Sequence, residues 1–364
     1  MFLVCPIAGV GSRLAPFTYT KPKAFMKVAG RRLIDHLMAK LQRTFEPGTP
    51  ALFVVGYKKK LIREYIEANY ADHFDLKFVV QKPRGYHADV PYFSGLGAAI
   101  SLAAPHASGE DVFIFLSDRL PMEDYSAMVV KFLNSDPPVD GIINAQRVAD
   151  PRHYGVLQLA EDGTVRCIVE KPEQFVSDLA VAGAYLFSKR VTPKLFAYLA
   201  ESTRVPLEEG EEYQFTPVIE RLVREGHRLV VNQMKERILD FGRPENFIEG
   251  NRVLLESTRQ AELLALPGDV TVVDSQITPP TCVGAGTTIT RCNLGPHVSI
   301  GENCKLDRCI ISNAVIGDGV SLSRTISKNS IIGDYVVLED LIKNNVTIGD
   351  SSCIASTGIP TNGP

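Results

Sequence analysis

Residues 300–352 read IGENCKLDRCIISNAV (300–315), IGDGVSLSRTISKNSI (316–331), IGDYVVLEDLIKNNVT (332–347) and IGDSS (348–352), in register at 16 residues. Ile recurs at 300, 316, 332 and 348, each time followed by Gly and then by Glu or Asp. Leu recurs at 306, 322 and 338, Ile at 310, 326 and 342, and Asn at 313, 329 and 345. Apolar residues at steps of five or six would point inward from successive faces of a coil. Gly301, Gly317, Gly333 and Gly349, with the asparagines, would fill corners that need φ > 0. Three complete aligned copies argue against an ordinary sandwich with fortuitous spacing. The reading is a β-solenoid, whose units bury their faces only by stacking. The module therefore needs a cap or a partner, and a homo-oligomer joined through it is expected.

Toward the N-terminus the grammar changes. The stretch 254–266, rich in Glu, Ala and Leu, reads as a helix ending before Pro267-Gly268, a hinge between domains. Before it, short apolar runs at 2–7, 51–55, 76–80, 112–116, 141–145 and 229–232 look like strands, and helical patterns lie at 33–41, 61–70 and 125–133. Strand-helix alternation implies an α/β domain with a mostly parallel, Rossmann-like sheet and function at the carboxyl ends of its strands. The loops after Ile7, Val80 and Leu116 are the places to look. The expected division is a catalytic domain over 1–255, a helical linker over 256–270, a β-helix over 271–357 and a tail over 358–364. The C-terminal spacing resembles the hexapeptide repeats of left-handed parallel β-helices.

With 364 residues the chain is long enough for two or three domains. Its 39 Lys and Arg stand against 42 Asp and Glu, a formal charge of -3, which lacks the basic footprint of a nucleic-acid or anionic-membrane binder. Any phosphate must be gripped locally. No run approaches the ~18 apolar residues of a membrane span. The opening Met1-Phe2-Leu3-Val4-Cys5-Pro6-Ile7 has no charged leader and reads as a buried strand rather than a signal peptide. The 7 Cys form no CxxC pair and read as reduced thiols in small core positions, as in a cytoplasmic protein.

After the first strand come Ala8-Gly9-Val10-Gly11-Ser12-Arg13-Leu14-Ala15-Pro16-Phe17-Thr18 and then Lys21-Pro22-Lys23. Glycines at a strand end let backbone N–H groups approach a phosphate. A dinucleotide fingerprint would want Gly at position 14, which is Leu14, and a P-loop would want Gly-Lys-Ser or Gly-Lys-Thr, which is absent. Arg13 and Lys23 on a glycine turn suit a triphosphate, since Arg clamps oxygens bidentately while Lys supplies a point charge. Taken alone, a glycine turn with surface cations fits as well. Asp118 closes Val112-Phe113-Ile114-Phe115-Leu116, and Asp240 closes another apolar run. Two such carboxylates in one crevice would suit Mg²⁺.

The order A-G-x-G-S-R-L-x-P-x-T, P-K, a Gln at a strand end, an Asp closing a strand, Glu-Lys-Pro, and Asp-x-Gly-x-Pro resembles the sugar-nucleotide pyrophosphorylases, which join a nucleoside triphosphate to a sugar 1-phosphate. A C-terminal left-handed β-helix is a common addition in that family. The resemblance implies roles. Ala8, Gly9, Gly11, Ser12 and Arg13 would bind the nucleotide, with Gln81 and Gly95 at the base. Glu170 would bind sugar hydroxyls, Lys171 would neutralise the sugar phosphate, and Gly155 and Gly183 would line the sugar pocket. Asp118 and Asp240 would hold Mg²⁺, and Arg13, Lys23, Asp118 and Lys171 would carry the chemistry. Gly95-Leu96 resembles the form in enzymes using UTP or dTTP, and the implied sugar is glucose.

The chain departs from the family pattern at Pro6-Ile7, where Leu-Ala is usual, at Ser117 and Arg119 around the metal aspartate, and at Pro217, which replaces a frequent Asp. A segment with Tyr86, His87 and Tyr92 looks inserted between Gln81 and Gly95. Two other readings stand beside this one. One is a non-catalytic scaffold or regulatory paralogue, although that would have no reason to keep Arg13, Lys23, Asp118, Lys171 and Asp240 together. The other is a bifunctional enzyme whose β-helix transfers an acyl group from coenzyme A. This would need a general-base His, and His297 is the only His after residue 227.

Overall fold

The computed structural model describes residues 1–208, 210–258 and 266–355. It divides into two compact units, Met1–Val10 with His36–Leu239, and Gly11–Asp35 with the chain from Asp240 onward.

The first unit is built on a sheet whose strands run, in spatial order, Val165–Glu170, Gly155–Leu159, Leu179–Phe187, Val112–Phe115, Phe2–Pro6, Thr49–Val55 and Phe74–Val80. Gly141–Arg147 joins Leu179–Phe187 and carries Leu229–Gln233 on its other side. Phe2–Pro6 lies parallel to both neighbours, with Leu3 opposite Ala51 and Phe113. The fully buried pattern of Val112–Phe115 is what a central strand covered on both faces requires. Lys59–Tyr70 covers the sheet with Ile62, Ile66 and Tyr70, a four-residue spacing that puts them on one helix face. The first strand ends at Pro6, one residue before the expected Ile7, and Ile7 still donates its N–H to Val54 O at 2.9 Å.

One long strand was illegible in the sequence. Leu179–Phe187 runs antiparallel to Val112–Phe115 and to Gly141–Arg147. Its apolar period is broken by Gly183, whose φ of +76° places it in the left-handed region inside the strand. The apparent insertion before Gly95 forms a hairpin of Gly85–His87 with Val90–Tyr92, turned at Ala88 and Asp89 with positive φ.

In the second unit, Gly11–Asp35 winds through short turns at Ser12–Leu14, Phe17–Tyr19 and Lys23–Phe25, then a hairpin of Lys27–Val28 with Arg31–Arg32. The helix read at 254–266 begins earlier, at Pro244, and spans Pro244–Ser257, because Pro is accepted in a first turn that lacks N–H partners. Residues 259–265 and the tail at 358–364 lie outside the described residues. Asn251 on this helix is buried and ties three elements together. Its Oδ1 accepts from Ala29 N at 2.9 Å and from the Ser299 hydroxyl, while its Nδ2 reaches His297 O at 3.4 Å.

The solenoid is a parallel β-helix. One stack passes through Thr271–Val273, Thr288–Thr290, Lys305–Asp307, Ser321–Ser323, Val337–Glu339 and Cys353–Ile354. Early coils take 17 residues, with Thr271 opposite Thr288 and then Lys305, and later coils take 16, with Lys305 opposite Ser321 and then Val337. The columns Ile300, Ile316, Ile332, Ile348 and Leu306, Leu322, Leu338 are buried as expected. Asn313, Asn329 and Asn345 occupy positive-φ corners.

Two expectations are corrected. Ile310, Ile326 and Ile342 face outward, because a neighbour takes the inward position in each coil, Ile311 and Ser327 in the first two and the partly buried Leu341 in the third, and a strand of period two cannot bury both. Gly301, Gly317, Gly333 and Gly349 are not left-handed corners. At the first three, neighbouring coils pass so close that a Cβ on Gly317, for instance, would lie 2.3 Å from Asp334 Oδ1 and 2.7 Å from the Gly333 backbone. Of the cysteines, Cys5, Cys292, Cys304 and Cys309 are buried and Cys353 is exposed.

Candidate active site

In the first unit the loops at the carboxyl ends of the parallel strands carry the expected residues. After Phe2–Pro6, Ala8 O accepts the N–H of Tyr57 at 2.9 Å. Gly56 permits this contact, since a Cβ there would lie 2.8 Å from Ala8 O. Gly9 is exposed with nothing within 4 Å of where a Cβ would sit, so its backbone is open to close approach by a ligand.

Beyond Phe74–Val80, Gln81 is buried, its N–H bonded to Val55 O at 2.8 Å and its Nε2 donating to Gly95 O at 3.3 Å. Gly95 has a φ of +95°, and a Cβ there would lie 2.7 Å from Glu212 Cβ. Gly97 N donates to Tyr213 O at 2.7 Å, and Tyr213 N to Ser94 O at 2.8 Å. The segment around Gly95 is thereby clipped to the segment around Tyr213. The adjoining hairpin leaves Tyr86 exposed and stacks His87 on Tyr92 at 4.6 Å.

A second cluster gathers Arg119, Tyr154, Gly155, Glu170, Lys171, Gly183 and Thr216. Gly155 stands opposite Glu170 in the antiparallel pair. Thr216 Oγ1 donates to Glu170 Oε2 at 2.6 Å, and Lys171 Nζ lies 3.4 Å from Glu170 Oε1. Lys171 has a left-handed backbone, φ 44°, held by its N–H to Tyr154 O at 2.9 Å. The Arg119 guanidinium lies over the Tyr154 ring at 5.1 Å, and a Cβ on Gly183 would fall 2.5 Å from Arg119 Cγ. Burial, then the nearby Glu170 charge, pushes the Tyr185 hydroxyl upward in pKa. Asp118 is half-buried next to the buried Ser117. Burial, then the charge of Asp118, raises the Cys5 thiol.

Neither Thr216 nor the Arg119–Tyr154 stack was read from the sequence. Their partners lie far away in the chain, and the one local signal was the Thr-Pro step that opens the helix Thr216–Arg224. Pro217, read as a departure, occupies the first turn of that helix.

In the second unit Gly11 adopts φ 75°, its carbonyl accepting from Leu14 N at 2.9 Å and from Thr18 Oγ1 at 3.2 Å. A Cβ on Gly11 would lie 3.2 Å from Lys23 Cβ, so the turn that opens the Ser12-Arg13 segment abuts the base of Lys23. Asp240 Oδ1 accepts the N–H of Gly242 at 2.9 Å. Among the described residues no group of three or more His, Cys, Asp and Glu could hold a metal by itself. A carboxylate such as Asp118 in the first unit or Asp240 in the second has the oxygen chemistry that an ion of the magnesium kind takes, which needs one or two of them and completes its shell with water and substrate phosphates.

The chain matches the nucleotidyl transferase family over residues 7–257. It belongs to that family. Among relatives of this nucleotidyl transferase, a glucose-1-phosphate thymidylyltransferase of Streptomyces griseus is 29% identical over 315 residues, 82% of each chain. A low-salt glycan biosynthesis nucleotidyltransferase of Haloferax volcanii is 26% identical over 329 residues, 85% of each. The crystal structure of a UDP-glucose pyrophosphorylase complexed with UDP-glucose superimposes with a TM-score of 0.59 at 24% identity, covering 71% of this chain and 100% of that one. At that identity the likeness is one of fold. No helix of the nucleotidyl transferase, among the described residues, is long and apolar enough to cross a membrane.

Proposed function

We propose that this nucleotidyl transferase moves a nucleotidyl group from a pyrimidine nucleoside triphosphate, dTTP or UTP, to a sugar 1-phosphate, probed first as glucose 1-phosphate, releasing pyrophosphate. The observation that carries the reading is Glu170, bonded to Thr216, opposite Gly155 in the antiparallel pair and 3.4 Å through Oε1 from Lys171 Nζ. A carboxylate held at one oxygen can still accept from sugar hydroxyls, and the adjacent ammonium can meet the phosphate.

In this reading an oxygen of the sugar 1-phosphate attacks the α-phosphorus and pyrophosphate leaves from the opposite side. The nucleophile is already an anion, so the protein's work is positioning and charge neutralisation, without a covalent enzyme intermediate. Lys171 orients the attacking phosphate. Ala8, Gly9, Gly11 and Ser12 offer backbone N–H groups to the triphosphate, and Arg13 and Lys23 compensate the charge that gathers on the leaving oxygens. Gln81 and Gly95 face the base, with one Gln81 amide hydrogen already engaged by Gly95 O. Asp118 and Asp240 would hold Mg²⁺, which supplies further charge neutralisation at the phosphates.

His297, the residue an acyltransferase solenoid would need, lies 3.0 Å through Nε2 from Glu256 on the helix Pro244–Ser257 and takes a positive-φ corner. That is the setting of a joint between elements and supports a single transfer activity. The deciding experiment crosses a panel of nucleoside triphosphates with sugar 1-phosphates and reads pyrophosphate release, with acetyl-CoA turnover alongside. No release in any pairing overturns the proposal. Release confined to a purine triphosphate overturns the base assignment.

A further inference from the structure

The residues that follow glycine in successive coils, Glu302, Asp318, Asp334 and Asp350, stack as a column on one corner of the solenoid. The N–H of Glu302 donates to Asp318 Oδ1 at 2.8 Å, that of Asp318 to Asp334 Oδ1 at 2.9 Å and that of Asp334 to Asp350 Oδ1 at 2.8 Å. At the coil spacing of about 4.8 Å, four carboxylates in a row repel one another unless cations meet them.

The cations come from the segment that carries the glycine turn. Lys27 Nζ lies 2.9 Å from Asp318 Oδ1 and 3.1 Å from Glu302 Oε1. Lys21 Nζ is bonded to Asp334 Oδ2 and lies 3.1 Å from Asp350 Oδ2, which also accepts from the Thr20 hydroxyl. Pro16 closes the series, since a Cβ on Gly349 would sit 2.6 Å from its Cγ. The Lys21 and Lys27 side chains are only 17% and 20% exposed, so these are not the freely solvated pairs that contribute little. Lys27 is raised in pKa, with Asp318 and Glu302 outweighing the opposing effect of burial.

Lys23 lies between these two anchors, two residues after Lys21 and four before Lys27. We infer that Lys21 and Lys27 are positioning residues for the transfer reaction, locking the segment that bears Arg13 and Lys23 onto the carboxylate column of the solenoid. The β-helix is then a working part of the phosphate-binding apparatus, and the acidic residue after each repeat glycine serves that attachment. This inference rests on the function proposed above.

The test compares the full-length wild type with Lys21→Ala, Lys27→Ala, the double variant and Lys21→Arg. Hydrogen exchange is followed in residues 11–35 and 298–354, and kcat and KM are measured on the best substrate pair. Faster exchange in 11–35 with the solenoid still protected, a kcat about tenfold lower in the double variant, KM for the sugar 1-phosphate within twofold, and recovery in Lys21→Arg are expected. Unchanged exchange in 11–35 overturns the inference, as does a kcat within twofold of wild type despite faster exchange. If the wild type itself releases no pyrophosphate in any pairing, the proposed function fails instead, and the exchange comparison still decides whether the lysines anchor the segment.

Discussion

The Glu170 carboxylate is gripped from outside its own strand, Thr216 donating to Oε2 at 2.6 Å while Oε1 faces Lys171. A hydrogen bond to a charged group contributes about 1.5–3 kcal/mol, roughly a factor of ten or more in affinity. Thr216→Val is therefore expected to raise KM for the sugar 1-phosphate by about tenfold while leaving KM for the nucleotide near its original value. Steady-state kinetics with each substrate varied in turn checks this, and an unchanged sugar-phosphate KM would count against Glu170 as the sugar ligand.

Gly183 has two reasons to be glycine, its φ of +76° and the 2.5 Å that would separate a Cβ from Arg119 Cγ. Gly183→Ala should lose about 1–3 kcal/mol of stability, read by denaturant unfolding. In an Arg119→Ala background only the backbone strain remains, so the same substitution should cost less there. Equal losses in both backgrounds would show that the close contact is immaterial.

The charge roles predict that Lys23→Ala and Asp118→Asn each lower turnover by about 10²-fold or more with wild-type circular dichroism. Chelation with EDTA should abolish pyrophosphate release, and added Mg²⁺ should restore it. Near-normal turnover in either variant, or full activity in chelator, removes the corresponding assignment.

Ile332 and Ile342 look alike in the repeat but lie 1% and 76% exposed. Ile332→Ala is expected to destabilise by about 2–5 kcal/mol, and Ile342→Ser to stay within about 0.5 kcal/mol. Thermal unfolding of the two variants distinguishes the inward column from the outward one.

Glu225 is held near a pKa of about 2, first by the Tyr198 hydroxyl and then by Lys194 at 3.0 Å. A depressed carboxyl contributes stability that is present above its ordinary value of 4.5 and lost as pH falls toward 2. The stability difference between wild type and Glu225→Gln should thus be full at pH 6 and vanish across that interval. A difference that persists unchanged to pH 2 would remove the linkage.

The local pattern of the chain determined the α/β sheet, the solenoid, the buried Ile and Leu columns and the glycine turn before Arg13, because each depends on a short-range period or on a residue with special backbone freedom. The strand through Gly183, the outward turn of Ile310, Ile326 and Ile342, and the partnerships Thr216–Glu170, Arg119–Tyr154 and Lys21–Asp334 were decided only in three dimensions. Alternation along one strand cannot say which of two adjacent apolar residues meets the core. A hydrogen bond or ion pair between residues tens or hundreds of positions apart exists only once the chain has closed those distances, so no spacing in the sequence could announce it.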